Sequence, residues 1–180
     1  MLKSRMPNFM QQSVEFFKRL FLKKTRPNAA VTWQQLGHDT AGAYWLYAAP
    51  VHLVLQRDTF SLAAPVPLPL EQPEIDTLTT LLNTHFGSDG MQFYWHENLW
   101  FLRLAQHPQI QTSLPESALN QDVHAFMPTG EGAMRWAQFV NEMQMLLFEH
   151  PVNNAREARH LPAMNSLWCY GGGQLPQSPK

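Results

Sequence analysis

Asn141-Glu-Met-Gln-Met-Leu-Leu-Phe-Glu-His150-Pro-Val-Asn-Asn-Ala-Arg156-Glu-Ala-Arg-His-Leu-Pro-Ala-Met-Asn165-Ser-Leu-Trp-Cys-Tyr170-Gly-Gly-Gly173 is the stretch on which the reading of this chain turns. An apolar helix runs into His150-Pro151-Val152-Asn153, a polar loop carries Arg156 and Arg159, and a short strand ends in three glycines. Asparagine, arginine and glycine-turn positions brought together in this way suit an anionic group. Arginine offers a planar fork for phosphate or carboxylate, and glycine lets backbone N–H groups approach closely.

Working back from His150, Trp136, Phe139, Val140, Met143, Leu146 and Leu147 recur at helical spacing and predict a long helix over 131–149, stopped by Pro151. Ile75, Leu78, Leu81, Leu82 and Phe86 predict a second helix from Gln72 to Phe86, with Pro73 in its first turn. Met91–Trp95 and Leu99–Leu104 read as a hairpin turning at His96-Glu97-Asn98, and Val51–Gln56 with Thr59–Leu62 as another. The stretch through Trp33 to Tyr47 reads as loosely helical or irregular. Pro65, Pro67 and Pro69 mark an extended link, and a short helix fits near 116–120. Forward of Asn165, Ser166–Tyr170 is the last strand, and Gly171–Gly173 opens a flexible tail. The pattern implies an α+β fold, a mostly antiparallel or mixed sheet of about five strands with helices packed on one face.

A chain of 180 residues accommodates one domain with a core. Its expected organisation is a basic segment over 1–40, a single α+β domain over 41–176 and a tail over 177–180. A formal charge of -1 argues against a general nucleic-acid binder. One cysteine, Cys169, excludes an internal disulfide framework and fits a reducing, cytoplasmic setting. No apolar run reaches the roughly 18 residues of a membrane span, and no secretory signal is evident. Seven of the 13 basic residues lie in the first 26 positions. There Ser13–Lys24 reads as a basic amphipathic helix with Phe16, Phe17, Leu20 and Phe21 on one face. Such a helix packs on its own domain or, over residues 13–26, meets a protein partner or an anionic membrane.

The candidates for chemistry are few. The eight histidines form no zinc-type pair, so no metal site is expected. Cys169 reads as an apolar strand residue, and no nucleotide or nucleophile-elbow motif occurs, so no cofactor is expected. Arg156 and Arg159 could clamp an anion or be neutralised locally by Glu149 and Glu157. The aromatic run around Phe93–Trp95 and Trp100-Phe101 reads as sheet core.

Three segments together carry a resemblance: Tyr44–Asp58, Leu82–Gly90, and Asn141–Gly173. Over about residues 41–176 the chain resembles the RpfE-type regulatory proteins, bacterial proteins often labelled cofactor-independent phosphoglycerate mutases. The last segment is similar to archaeal-type phosphoglycerate mutases. In these a His-Pro-x-Asn, an arginine three residues on and a later asparagine precede a strand ending in Arg-Gly-x-Gly. His150, Pro151, Asn153, Arg156, Asn165, Gly171 and Gly173 match that pattern, and Tyr170 replaces the arginine. The mutases build catalysis on two metals with Asp and His ligands and a serine nucleophile. This chain shows no N-terminal Asp-Gly metal motif and no Asp/His run after Gly173, so the matching region resembles the domain inserted beside that core. The resemblance implies a non-catalytic regulatory or ligand-sensing protein. Its expected ligand is a small phosphorylated or carboxylate anion, held by His150, Asn153, Arg156, Asn165 and Gly171, Gly172 and Gly173. Arg156→Ala is then expected to abolish anion binding without unfolding. The alternatives are a metal-dependent mutase-like or phosphatase-like enzyme, and an interaction module acting through residues 13–26.

Overall fold

The computed structural model describes residues 27–176. The elements run α1 (Ala29–Gln35), β1 (Tyr44–Val51), β2 (Leu53–Leu55), β3 (Phe60–Leu62), α2 (Gln72–Phe86), β4 (Met91–His96), β5 (Leu99–Leu104), α3 (Pro115–Ala118), α4 (Ala133–Leu147), α5 (Pro151–Ala158) and β6 (Ser166–Gln174). A further 3-10 turn covers Val123–Phe126. The fold is α+β: a four-stranded antiparallel sheet in the order β4-β5-β1-β6, and a separate hairpin of β2 and β3. The segment 13–24 and the tail after Pro176 lie outside the described residues.

β1 is the centre of the sheet, and all eight of its residues are buried. Alternate side chains point to opposite faces of a strand, so β1 feeds two cores at once. Leu46 and Ala48 join Leu102, Leu167 and Cys169 beneath α2 and α4, which contribute Ile75, Leu78, Leu82, Phe86, Trp136, Phe139, Met143 and Leu147. Trp45, Tyr47 and Ala49 join Phe101, Trp168 and Tyr170 on the other face, covered by Ala29, Ala30 and Trp33 of α1 and by Ala118 and Val123. Each large apolar side chain removed from water stabilises the fold by roughly 1.5–3 kcal/mol. The two longest helices therefore share one face, and short segments seal the other.

The sequence periodicity locates α2, α4, both hairpins and the short helix at 115–118. It misses β1, because a strand buried on both faces has no polar alternation to betray it. Pro50 lies inside β1, opposite Leu167, rather than ahead of the first strand. Two further expectations are corrected. The stretch expected to be a polar loop around Arg156 is the helix α5, begun by Pro151 at its first turn. The glycines expected to open a tail are part of β6, which continues to Gln174. None of the described helices is long and apolar enough to cross a membrane.

Two side-chain amides tie the layers together. Asn83 of α2 donates to Phe93 O at 2.9 Å and accepts from Phe93 N at 2.7 Å, clamping the helix to β4. Asn165 donates to Leu53 O at 2.8 Å and accepts from Leu53 N at 2.7 Å, so one side chain stands in for a strand partner of the small hairpin.

The glycine run answers a steric demand. Between Trp45↔Gly173 and Tyr47↔Tyr170, β6 holds one residue more than β1, a bulge in which Gly171 takes φ +63°. A Cβ on Gly171 would lie 2.8 Å from the Tyr47 ring, and one on Gly172 would collide with the Tyr44 hydroxyl. Gly171→Ala is expected to lower stability by about 1–3 kcal/mol through backbone strain and this clash. Gly37→Ala, at φ +88° in open space, should cost less. Urea unfolding of the two variants checks the ranking.

Candidate functional site

The residues nominated from sequence sit at the C-terminal end of α4, on α5 and along β6. His150 caps α5, its Nδ1 accepting from Val152 N at 3.3 Å. Burial holds its imidazole below the ordinary histidine value. Asn153 is buried and fully bonded. Its Nδ2 donates to Leu147 O at 3.0 Å and Met164 O at 2.8 Å, and its Oδ1 accepts from Met164 N at 2.9 Å. That amide closes the return of the chain from α4 through α5 to β6.

Arg156 is only 3% exposed. Its Nη1 donates to Glu74 Oε2 at 2.7 Å, its Nε to Pro162 O at 2.8 Å and its Nη2 to Pro69 O at 3.2 Å. Every nitrogen of the guanidinium is thus engaged by the protein. The same Glu74 carboxylate accepts Glu71 N at 2.8 Å and Arg159 Nη2 at 2.7 Å, and Arg159 also reaches Glu71 Oε1 at 2.9 Å. The neutralising acids are Glu74 and Glu71, not the nearby Glu149 and Glu157, because α5 packs against the start of α2. Glu74 is the partner of Arg156 that the sequence does not reveal. It stands 82 positions from Arg156, and the available signal was an acid three residues past Glu71 in a proline-started helix.

Asn165 serves the β2 hairpin as described above. Gly171, Gly172 and Gly173 face Tyr47, Tyr44 and Asn28 at close range, in contact with protein rather than open to a ligand. The expected set therefore divides into a helix cap, two structural amides, a buried ion pair and a strand bulge. None of the seven residues lines the apolar cavity beside β6. That cavity holds about 430 Å³ and lies between α4, β6, the Val123–Phe126 turn and the small hairpin.

Cys169 lines this cavity, yet burial pushes its thiol up to about 12, so it carries no thiolate at neutral pH. The histidines serve separate structural ends. His52 bonds Ala163 O at 2.7 Å, His85 pairs with Glu142 at 2.7 Å between α2 and α4, and His38 meets His96 at 3.4 Å against Trp33. Among the described residues no three His, Cys, Asp or Glu side chains converge to hold a metal ion.

No family model matches the chain. A probable 2,3-bisphosphoglycerate-independent phosphoglycerate mutase of Geobacter sulfurreducens is 31% identical over 94 residues, covering 51% of this chain and 23% of that protein. The corresponding mutase of Methanothrix thermoacetophila is 29% identical over 66 residues, 37% of this chain and 17% of its own length. The chain thus spans less than a quarter of the length of these curated relatives. A cofactor-independent phosphoglycerate mutase from Thermoplasma acidophilum shares the fold over 77% of this chain and 38% of its own. The TM-score is 0.54 at 16% identity.

Removing Glu74 would leave a buried, unpaired guanidinium. Glu74→Ala is expected to cost about 3–5 kcal/mol, whereas the joint change Glu74→Leu with Arg156→Met should recover most of that loss. Denaturant unfolding of the single and double variants measures both. Arg156→Ala is likewise expected to destabilise the fold, not only to alter binding. A pH dependence follows from His150. Its lowered value favours the neutral, accepting imidazole in the folded state. The stabilising contribution is complete above the ordinary histidine pKa of about 6.5 and is lost as pH falls through the lowered folded value. Thermal midpoints should decline on acidification below about 6.5, and less steeply in His150→Asn, whose cap does not titrate.

Proposed function

We propose that this chain is a non-catalytic, regulatory or ligand-sensing module of the RpfE-type kind, built on part of the architecture of the cofactor-independent phosphoglycerate mutases. The observation that carries this reading is the engagement of Arg156. Its Nε and both Nη nitrogens are held by Glu74, Pro69 O and Pro162 O. A phosphate or carboxylate approaching this buried guanidinium would have to share it with those three partners or displace one of them. In this reading the segment from His150 to Gly173 is retained for what it does to the fold. It brings α5 back to α2 and sets the register of β6.

The second reading takes the same residues as a ligand site for a small phosphorylated or carboxylate anion. What favours it is the sequence similarity to phosphoglycerate mutases. It needs Arg156 to exchange Glu74 for the ligand, with Asn153 and Asn165 donating amide hydrogen bonds and Gly171–Gly173 offering backbone N–H groups. The mutase-like enzyme reading adds metal-dependent turnover to that site.

One pair of measurements separates the readings. The full chain is titrated with 3-phosphoglycerate, with and without manganese, while amide NMR shifts and interconversion with 2-phosphoglycerate are followed. The scaffold reading expects no turnover and no saturable shifts at 150–156 or 171–173 up to millimolar ligand. Saturable shifts clustered there would overturn the scaffold role of this segment and make the chain an anion sensor, and manganese-dependent turnover would overturn the non-catalytic reading.

A further inference from the structure

The cavity beside β6 has a chemistry unlike that of the Arg156 cluster. Trp136 and Val140 of α4 form one wall, Leu167 and Cys169 of β6 the floor, and Val123 and Phe126 the opposite wall. Its volume of about 430 Å³ falls within the range of roughly 300–1,000 Å³ typical of small-molecule sites. No Lys, Arg, Asp or Glu lines it. His124, exposed at the rim, is the one lining histidine. A charged ligand moved here from water would lose its hydration without a counter-charge, a cost of several kcal/mol. Phosphorylated acids are therefore poor occupants.

Four polar side chains line the otherwise apolar space, of which His124 and Asn141 are exposed, Gln144 is half-buried and Ser166 is buried. Ser166 is 3% exposed, and its Oγ accepts a long bond of 3.4 Å from Gln144 Nε2. No protein acceptor takes the Ser166 hydroxyl proton among the described residues. A buried hydroxyl normally satisfies its donor, so an unengaged one facing a cavity marks a place for an acceptor. β6 is also an edge strand, with β1 on one side and no strand beyond it. Backbone groups on its outer side thus have no strand partner. The apolar volume, the lack of charge and the buried hydroxyl together define one class of occupant.

We propose that the cavity between α4 and β6 binds an uncharged, largely apolar small molecule that presents a hydrogen-bond acceptor such as a carbonyl to Ser166. This inference rests on the ligand-sensing part of the reading above and gives it a site separate from the Arg156 cluster. Apolar contact with Trp136 and Val140 would supply most of the affinity, and the Gln144–Ser166 pair would set orientation.

The test uses Nile red, a neutral planar carbonyl dye, with the full chain. Saturable one-to-one binding at micromolar dye is expected, with quenching of tryptophan fluorescence. Ala137 lines the mouth from the exposed side of α4. Ala137→Trp should therefore block entry and weaken binding at least about tenfold (1.4 kcal/mol), with the thermal midpoint unchanged. Ser166→Ala should weaken the carbonyl dye but not a matched hydrocarbon probe. The proposal is overturned if dye binding is non-saturable or survives Ala137→Trp. It is also overturned if an anionic dye binds equally well, or if an extended apolar peptide, but no small neutral probe, occupies the groove. Shifts with 3-phosphoglycerate at Arg156 in the same samples would report on the anion reading separately. Failure of the dye would thus remove this site without deciding whether the chain senses another ligand.

Discussion

The architecture depends on one buried contact between opposite charges, Arg156 with Glu74. The pair joins the first turn of α2 to the last turn of α5, elements separated by most of the domain's sequence. Such a pair adds little net stability relative to a well-packed apolar replacement, because both charges lose their water. Its strength lies in what it forbids. Any docking of α5 that separates the two groups leaves a bare charge in the interior. The guanidinium also accepts no compromise in direction, since its other nitrogens bind the carbonyls of Pro69 and Pro162, each in a link between elements. Helix α5, barely two turns long, would have little reason to form alone. Held at Arg156 and Asn153, it becomes the fixed corner from which β6 departs.

That corner explains why motif and geometry diverge. Asparagine and arginine at these spacings are read naturally as ligand donors, because the same donor forks recognise phosphate and carboxylate in solution. The protein supplies a carboxylate of its own. Within this structure Arg156 and Asn153 have bonding partners that the fold itself provides. The space left open for a small molecule lies along the outer edge of β6 and is lined by apolar side chains that no motif describes.

How much was legible in the sequence followed from the range of the interactions. α2 and α4 each show an apolar stripe with clear stops, and their limits came within two residues. The β4–β5 hairpin announced itself by aromatic runs around a polar turn. β1 was hidden because burial on both faces erases alternation, and its internal Pro50 argued against a strand. α5 was hidden because its stability comes from Glu74, 82 residues away. Gly171–Gly173 read as the start of a flexible tail, although a Cβ on them would meet Tyr47, Tyr44 and Asn28 in turn. For the site, residue types were legible and their partners were not. The cavity had no sequence signature at all, since its walls use the same residues as the core.

Asn165 carries one more consequence, a chemical one. Its amide imitates a strand by giving and receiving one bond with Leu53, which works only while the side chain keeps both a nitrogen and an oxygen. Asparagine followed by a small residue such as Ser166 slowly loses ammonia and becomes aspartate. In the native state both amide atoms are tied down, so cyclisation is restrained. In the unfolded chain that restraint is gone. An aspartate at this position would set a carboxylate against the Leu53 carbonyl and replace one of the two bonds by a repulsion.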